Sequence, residues 1–277
     1  MTTTESQPDL DTDFEERPRR TAAGRMLAIL DAFGPAHRTL SLSEISRRAD
    51  LTLPTTHRLV GELVSWGALE RDAAGRYFVG LRLLELSALA PRGLELREAA
   101  FPYLDDLHQV TQGNVHLGVR DGHEVVYVET LRSRVTAHVS SRVGDRWPLH
   151  ATGTGLVLLA FADSQFQEQV LSGPLIRYTN RTTVDPKQLR ATLANIRLTG
   201  VAVAHDQITM DAVAVAVPVY QPMGGVVAAI SVVVSTSEAE PRELAAVLTC
   251  AARSISRALD PRRRTVRESV NSVSRRP

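Results

Sequence analysis

SLSEISRRADLTLPTTHRLVGELVSWG, residues 41–67, is the stretch from which the fold can be worked out. It reads as two short helices separated by a tight turn. Ser41 is placed to cap the first, and Glu44, three residues on, completes a capping box. Leu42, Ile45 and Ala49 recur at spacings that put them on one apolar face. Asp50-Leu51 leaves room only for a turn. Thr52 is placed to cap the second helix, and Pro54 fits its first turn, where the missing N–H has no helical partner to lose. Leu59, Leu63 and Val64 form its expected apolar stripe, Trp66 stands near its end, and Gly67 suits a C-cap. Thr55, His57, Arg58, Glu62 and Ser65 then face elsewhere. A polar helix start with Thr, His and Arg, set behind a supporting helix, is what a major-groove reader needs. Two capped amphipathic helices also occur in ordinary all-α domains, so the flanking sequence has to decide.

Downstream, residues 68–80 (ALERDAAGRYFVG) read as a two-stranded hairpin. Leu69 and Tyr77, Phe78 and Val79 are the strand formers, and Asp72–Gly75 supplies the turn. Upstream, residues 22–33 read as a helix capped by Thr21 and ended by Gly34, with Met26, Leu27, Leu30 and Phe33 on its apolar face. Helix, helix-turn-helix and hairpin in that order make a winged helix. Arg71 and Arg76 sit on the wing, where cations meet phosphates or enter a minor groove. The residues expected to approach double-stranded operator DNA are therefore Ser41, Thr52, Pro54, Thr55, Thr56, His57, Arg58, Arg71 and Arg76.

Residues 21–90 resemble the N-terminal domain of the IclR family of bacterial transcriptional regulators. The resemblance is carried by TAAGRMLAILDAF, LSLSEISRRADLTLPTTHRLVGELVSWGALERD and YFVGLRLLELSALA. It continues through PLHATGTGLVLLA, GVAVAHDQ, AVAVPVY and GGVVAAISVVVS, so it covers about residues 21–259. It implies a GAF-like effector domain after the winged helix, and a homodimer or a dimer of dimers. It also implies that the leucine-rich helix at 81–90 pairs with its counterpart in a partner subunit. The alternative is packing of that helix onto its own chain.

Charge is distributed as a polyanion partner requires. The chain of 277 residues has a net charge of only +1. Residues 17–82 hold eleven arginines against six acids, and residues 262–277 hold six arginines against one. Residues 1–16 carry six acids and no base. The expected organisation is a disordered arm (1–20), a winged helix-turn-helix domain (21–80), a linker helix (81–93), an α+β effector domain (94–260) and a basic disordered tail (261–277). Arg17, Arg19 and Arg20 of the arm are placed to touch DNA beside the reader, although a solvated tail is the simpler reading. The single cysteine, Cys250, excludes an internal disulfide framework and reads as a buried thiol on a helix. No apolar run is long enough for a membrane span and the N-terminus is unlike a signal peptide, so cytoplasmic residence is the expectation.

The second half reads as a helix over 95–112, with Pro102 as a kink, followed by strands and helices in mixed order. Strands are expected at NVHLGVRD and EVVYVETL across Gly122-His123, at VTAHVSSRV, and at the three valine-rich runs after Gly200. Helices are expected after LHATGTG, at QFQEQVLS, from Asp185-Pro186 to Thr199, and over 241–259. Hairpins with helices between them give an antiparallel sheet in an α+β domain.

Enzyme chemistry finds little support. There is no G-x-S-x-G elbow, Gly153-Thr154-Gly155 lacks the rest of a phosphate loop, and the eight histidines show no H-E-x-x-H pattern. No metal or other cofactor is expected. Gly153 and Thr154 stand where a loop enters a helix, and free N–H groups there suit a carboxylate. Tight backbone packing is the other use for a glycine at that place. The family resemblance, matched residue by residue, implies an effector site at Thr136, Val139, Trp147, Gly153, Thr154, His205, Ala214, Ser231 and Val233. The chain departs from the family at Ala204-His205-Asp206, where acids are frequent, and at Ala214, where cysteine is. Trp147, Val139, Ala214 and Val233 point instead to a larger, less polar ligand, an aromatic or otherwise mostly apolar carboxylic acid or metabolite. The reading is a DNA-binding transcriptional regulator, expected to be a repressor, that responds to a small effector. A sensor whose winged helix mediates protein contacts, and a transcriptional activator, are the alternatives.

Overall fold

The computed structural model describes residues 21–134, 139 and 141–260. The chain divides between Ala90 and Pro91 into two compact units. The first contains α1 (Ala22–Asp31), β1 (Thr39–Leu40), α2 (Leu42–Arg48), α3 (Leu53–Trp66), β2 (Leu69–Arg71), β3 (Tyr77–Val79) and α4 (Leu81–Ser87). Thr21 starts α1 by accepting a hydrogen bond from the Gly24 N–H at 3.0 Å. Ile29, Ile45, Leu59 and Leu69 are fully buried and form the centre of this unit.

Two features of the first unit differ from the sequence reading. A third strand, β1, joins the hairpin to give the order β1-β3-β2. At two residues it is too short for alternation to reveal it. The buried stripe of α3 is Thr56, Leu59, Val60 and Leu63, whereas Val64 is exposed. Each residue turns a helix by about 100°, so exchanging Val64 for Val60 rotates the buried face and carries Thr56 inward. Gly67 closes α3 in the left-handed region at φ 86°. Gly80 passes directly beneath this cap: a Cβ there would lie 2.2 Å from the Gly67 carbonyl oxygen, so only glycine fits.

Helix α4 follows the wing with Leu83 packed on the core. Leu81, Leu84 and Leu89 remain 68%, 65% and 76% exposed. Trp66 is half exposed, and the Arg82 guanidinium lies over its ring, 5.7 Å from the centroid.

The second unit opens with α5 (Pro91–Thr111), followed by β4 (Asn114–Asp121), β5 (Glu124–Leu131) and β6 (Arg146–Pro148). Then come α6 (Gly153–Ala160), α7 (Ser164–Ser172), α8 (Pro186–Thr199), β7 (Ala202–His205), β8 (Ala212–Tyr220), β9 (Val226–Ser235) and α9 (Pro241–Ala258). Helix α4 ends before Pro91, and Pro91 opens the next helix at the boundary between the units, because a first-turn proline has no helical hydrogen bond to lose. The sheet is wholly antiparallel in the order β6-β5-β4-β9-β8-β7.

The expected strand over 135–143 falls partly outside the described residues, and Val139 and Ser141–Val143 are not in a strand. The strand that pairs with the other edge of β5, away from β4, is β6, with Trp147 opposite Val125. The chain meets β5 again at Gly144, whose N–H donates to the Tyr127 carbonyl at 2.8 Å.

One sheet face packs Val115, Leu117, Val213, Val215, Val217, Ile230 and Val232 with residues of α5 and α9. The opposite face packs Val125, Tyr127, Ala204, Ala216 and Ala229 with residues of α6 and α8. A bulge between Leu117 and Gly118 lets Tyr127 pair with Gly118 while Glu129 pairs with Leu117. Glu129 is thereby buried where Arg97 of α5 donates to it at 2.5 Å. Cys250, expected to be buried, is exposed on α9, off the stripe formed by Leu248, Ala252 and Ile255.

Candidate nucleic-acid interface and effector site

In the first unit, several expected DNA contacts turn out to be engaged internally. The Ser41 hydroxyl accepts from the Glu44 N–H at 3.3 Å, and the Ser41 N–H donates to Glu44 Oε2 at 2.7 Å. The same carboxylate meets Arg76 Nη2 at 3.2 Å, and that guanidinium also donates to the Thr39 carbonyl at 2.7 Å. Hydrogen bonds from Ser41, backbone first, hold the Glu44 carboxyl below the usual carboxylate range, with Arg76 and Arg47 adding to the effect. Arg76 therefore ties the wing to the start of α2.

Thr52 occupies the N-cap of α3, but its hydroxyl donates to Thr55 Oγ1 at 2.9 Å instead of capping the backbone. The Thr52 carbonyl accepts from both the N–H and the hydroxyl of Thr56, at 2.9 and 3.0 Å. Thr56 is completely buried, so the expectation that it approaches DNA is corrected: it supports α3 from inside. The outward side of α3 carries Leu53, Pro54, His57, Arg58, Gly61, Glu62 and Ser65, with Thr55 half-buried beside them. Arg58 Nη1 pairs with Glu62 Oε1 at 2.5 Å, one helical turn away. Arg71 is exposed on the wing, with its guanidinium 5.5 Å from the Tyr77 ring centroid and Nε donating to the Gly75 carbonyl at 3.3 Å.

In the second unit, the face of the sheet beside α6 gathers most of the expected effector residues. Ala214 pairs with Val233 and Ala216 with Ser231 across β8 and β9, and Ser231 pairs with His116 of β4. Gly153 starts α6 against this surface: a Cβ there would sit 3.2 Å from the Ala214 Cβ and 3.3 Å from the Ala216 Cβ. Thr154 lies beside Gly118, and its buried hydroxyl faces the Tyr127 phenol without a well-formed hydrogen bond among the described residues. The Val139 carbonyl accepts from Asn114 Nδ2 at 3.2 Å, which brings that residue to the end of β4. Trp147 packs at the margin of this core, with its ring edge-on to Tyr178, 6.2 Å between centroids.

Of the two remaining expected residues, one cannot be placed and the other falls elsewhere. Thr136 lies outside the described residues. His205 is exposed and pairs with Val213 of the opposite face, while its neighbour Ala204 is buried on the α6 side. Strand alternation therefore removes His205 from the site.

Sequence reading missed the polar centre of this face. His116 is buried, with Ser141 Oγ 2.5 Å from Nε2 and Ser231 Oγ 3.3 Å from Nδ1. Its ring stacks on Tyr127, 4.6 Å between centroids and 14° between planes. Burial lowers the His116 pKa to about 4, so the imidazole is neutral at pH 7. Burial raises the Tyr127 phenol to about 12; Thr154 opposes that rise and the Asp145 carboxylate adds to it. A neutral histidine, a neutral phenol and three hydroxyls offer hydrogen bonds without fixed charge. The available signal was His116 in the otherwise apolar VHLGV, at an inward strand position.

The comparisons agree with this architecture. Residues 22–73 match the IclR helix-turn-helix domain, and residues 89–257 match the domain described as bacterial transcriptional regulator IclR C-terminal. The chain is 32% identical to the HTH-type transcriptional regulator XynR of Escherichia coli K12, over 80% of this chain and 88% of that one. It is 30% identical to the HTH-type transcriptional regulator KdgR of the same organism, over 88% of this chain and 95% of that one. Among solved structures, an IclR homolog from Microbacterium hydrocarbonoxydans complexed with 4-hydroxybenzoate is 35% identical and superposes with a TM-score of 0.81. That match covers 86% of this chain and 99% of the homolog. With a DNA-binding helix-turn-helix domain and a ligand-binding C-terminal domain, the chain is a transcriptional regulator, not an enzyme, and belongs to the IclR family.

Proposed function

We propose that this regulator is a repressor that binds its operator as a homodimer or a dimer of dimers, and that a mostly apolar, aromatic carboxylic acid changes its operator affinity. The observation that carries the ligand reading is the Thr154 hydroxyl, buried at the start of α6 beside the Tyr127 phenol and without a well-formed hydrogen bond among the described residues. An unmet buried hydroxyl costs about 1–3 kcal/mol, which a ligand oxygen would recover. Backbone N–H groups of the same helix start favour a carboxylate. Val233, Ala214 and the Trp147 and Tyr178 rings supply apolar surface nearby. The complex of the Microbacterium homolog with 4-hydroxybenzoate supports the same ligand class.

On the DNA side, Thr52, Pro54, Thr55, His57 and Arg58 form the face offered to the major groove, and Arg71 offers a cation to a phosphate. The exposed Leu81 and Leu84 of α4, with Leu89 just beyond its end, support self-association. The effector acts by binding one arrangement of the dimer better than another, since equal affinity for both shifts nothing. Calorimetry with aromatic and aliphatic acids, with and without operator, tests this. Binding of aromatic acids is expected to change operator affinity roughly 5- to 150-fold, with the reciprocal effect of operator on acid. Binding of small aliphatic keto acids alone would rule out the aromatic assignment.

A further inference from the structure

We infer that Leu53 reads the 5-methyl group of a thymine in the operator. Leu53 is the first residue of α3 and is 50% exposed, although Leu59, Val60 and Leu63 of the same helix are buried. It adjoins Pro54, also exposed, and His57 stands one turn further along the same outward face. The tip of the helix is therefore apolar, and the hydrogen-bonding groups begin with Thr55, His57 and Arg58. Thr52 cannot extend the polar surface freely, because its hydroxyl is turned to Thr55 Oγ1.

In the major groove only thymine presents a methyl group, and apolar side chains recognise it by contact. An exposed leucine at the groove-facing end of a recognition helix matches that feature and offers nothing to the polar edges of the other bases. Leu53 would thus select a T·A pair beside the base pair addressed by His57 or Arg58. The inference rests on the reading of α3 as the groove helix.

The test uses the full-length protein and duplexes selected by it from a random pool. In the best duplex each thymine is replaced in turn by deoxyuridine, which removes only the methyl. For the parent protein, replacement at one position of each half-site is expected to weaken binding roughly four-fold, the effect of one buried methyl-sized group. The Leu53→Ala variant, whose side chain is half exposed and outside the core cluster, is expected to be indifferent to that replacement while keeping a cooperative thermal melt. Tolerance of deoxyuridine at every position by the parent, or an equal loss in Leu53→Ala, would overturn the inference. Arg58→Ala separates the two levels of the argument. If it binds as tightly as the parent, α3 is not the reader and both readings fall. If it binds weakly while no thymine methyl matters, only the role of Leu53 falls.

Discussion

Arg76 Nη2 lies 3.2 Å from Glu44 Oε2, and the same carboxylate closes the capping box on Ser41, so one acid joins the wing to the start of α2. Arg71, on the neighbouring strand, has no carboxylate anchor among the described residues and stays exposed. The two wing arginines should therefore behave differently. Arg71→Ala should weaken binding to all duplexes alike and reduce the salt slope by roughly one. Arg76→Ala should leave the slope nearly unchanged and lower the melting temperature. Salt titrations of binding, together with thermal melts, check both. Equal slope losses would mean that Arg76 leaves Glu44 to meet a phosphate.

Arg58 and Thr56 make a second contrasting pair. Arg58→Ala should cost specific binding about 1–3 kcal/mol if its guanidinium reads a guanine, with little change in stability. Thr56→Ala removes a buried methyl and the hydrogen bond to the Thr52 carbonyl, so it should destabilise the protein by about 1–2 kcal/mol. Its base preference should stay that of the parent. A changed preference in folded Thr56→Ala, measured on a panel of duplexes, would contradict the buried placement.

His116 gives the second unit a pH dependence of defined sign. Its folded pKa, about 4, lies below the ordinary histidine value of 6.5, so the neutral form is favoured in the folded state. The unfolded chain binds more protons between these values, and stability falls as pH drops from about 6.5 toward 4. The loss attributable to this group should reach roughly 2 kcal/mol at pH 5. His116→Gln, which retains hydrogen-bonding groups but does not titrate, should lessen the dependence. Urea melts of both proteins at pH 7 and pH 5 measure it, and parallel losses would assign the effect to other groups.

Thr154→Val should act differently on the free and bound states. Removing a buried hydroxyl that makes no well-formed hydrogen bond among the described residues should leave the free protein as stable as the parent or raise its stability by up to about 1 kcal/mol. It should also weaken aromatic-acid binding by roughly tenfold, the equivalent of one hydrogen bond to a charged group. Trp147→Ala should abolish the response to the acid while leaving ligand-free operator binding intact. If Thr154→Val binds the acid like the parent, the carboxylate does not lie at the start of α6.

Helix α4 predicts the outcome of a surface change. Leu81→Lys with Leu84→Lys alters two leucines that are 68% and 65% exposed. The double variant should keep its fold and sediment as a smaller species. Unchanged sedimentation would place the self-association surface elsewhere.

Much of this architecture follows from local sequence. The Ser41–Glu44 box, Gly67 at the end of α3, Asp185-Pro186 at the start of α8 and the Gly122 turn each fix an element through its own backbone requirements. Apolar periodicity then placed Ile45, Leu59 and Leu63 inside. Tertiary structure decided which groups share a surface. Thr56 and Val64 exchanged expected roles because the packing of α3 sets its rotation, and the local pattern admitted Val60 or Val64 in the stripe. His205 left the effector face because strand register, fixed by pairing with β8, points alternate residues to opposite sides. The grouping of His116 with Ser141, Tyr127 and Ser231 depends on β4 lying between β5 and β9, a pairing across more than a hundred residues. No local signal in the chain encodes a contact over that separation. It arises when the valine-rich strands bury one face against α5 and α9, leaving the other to hold the polar groups beside α6.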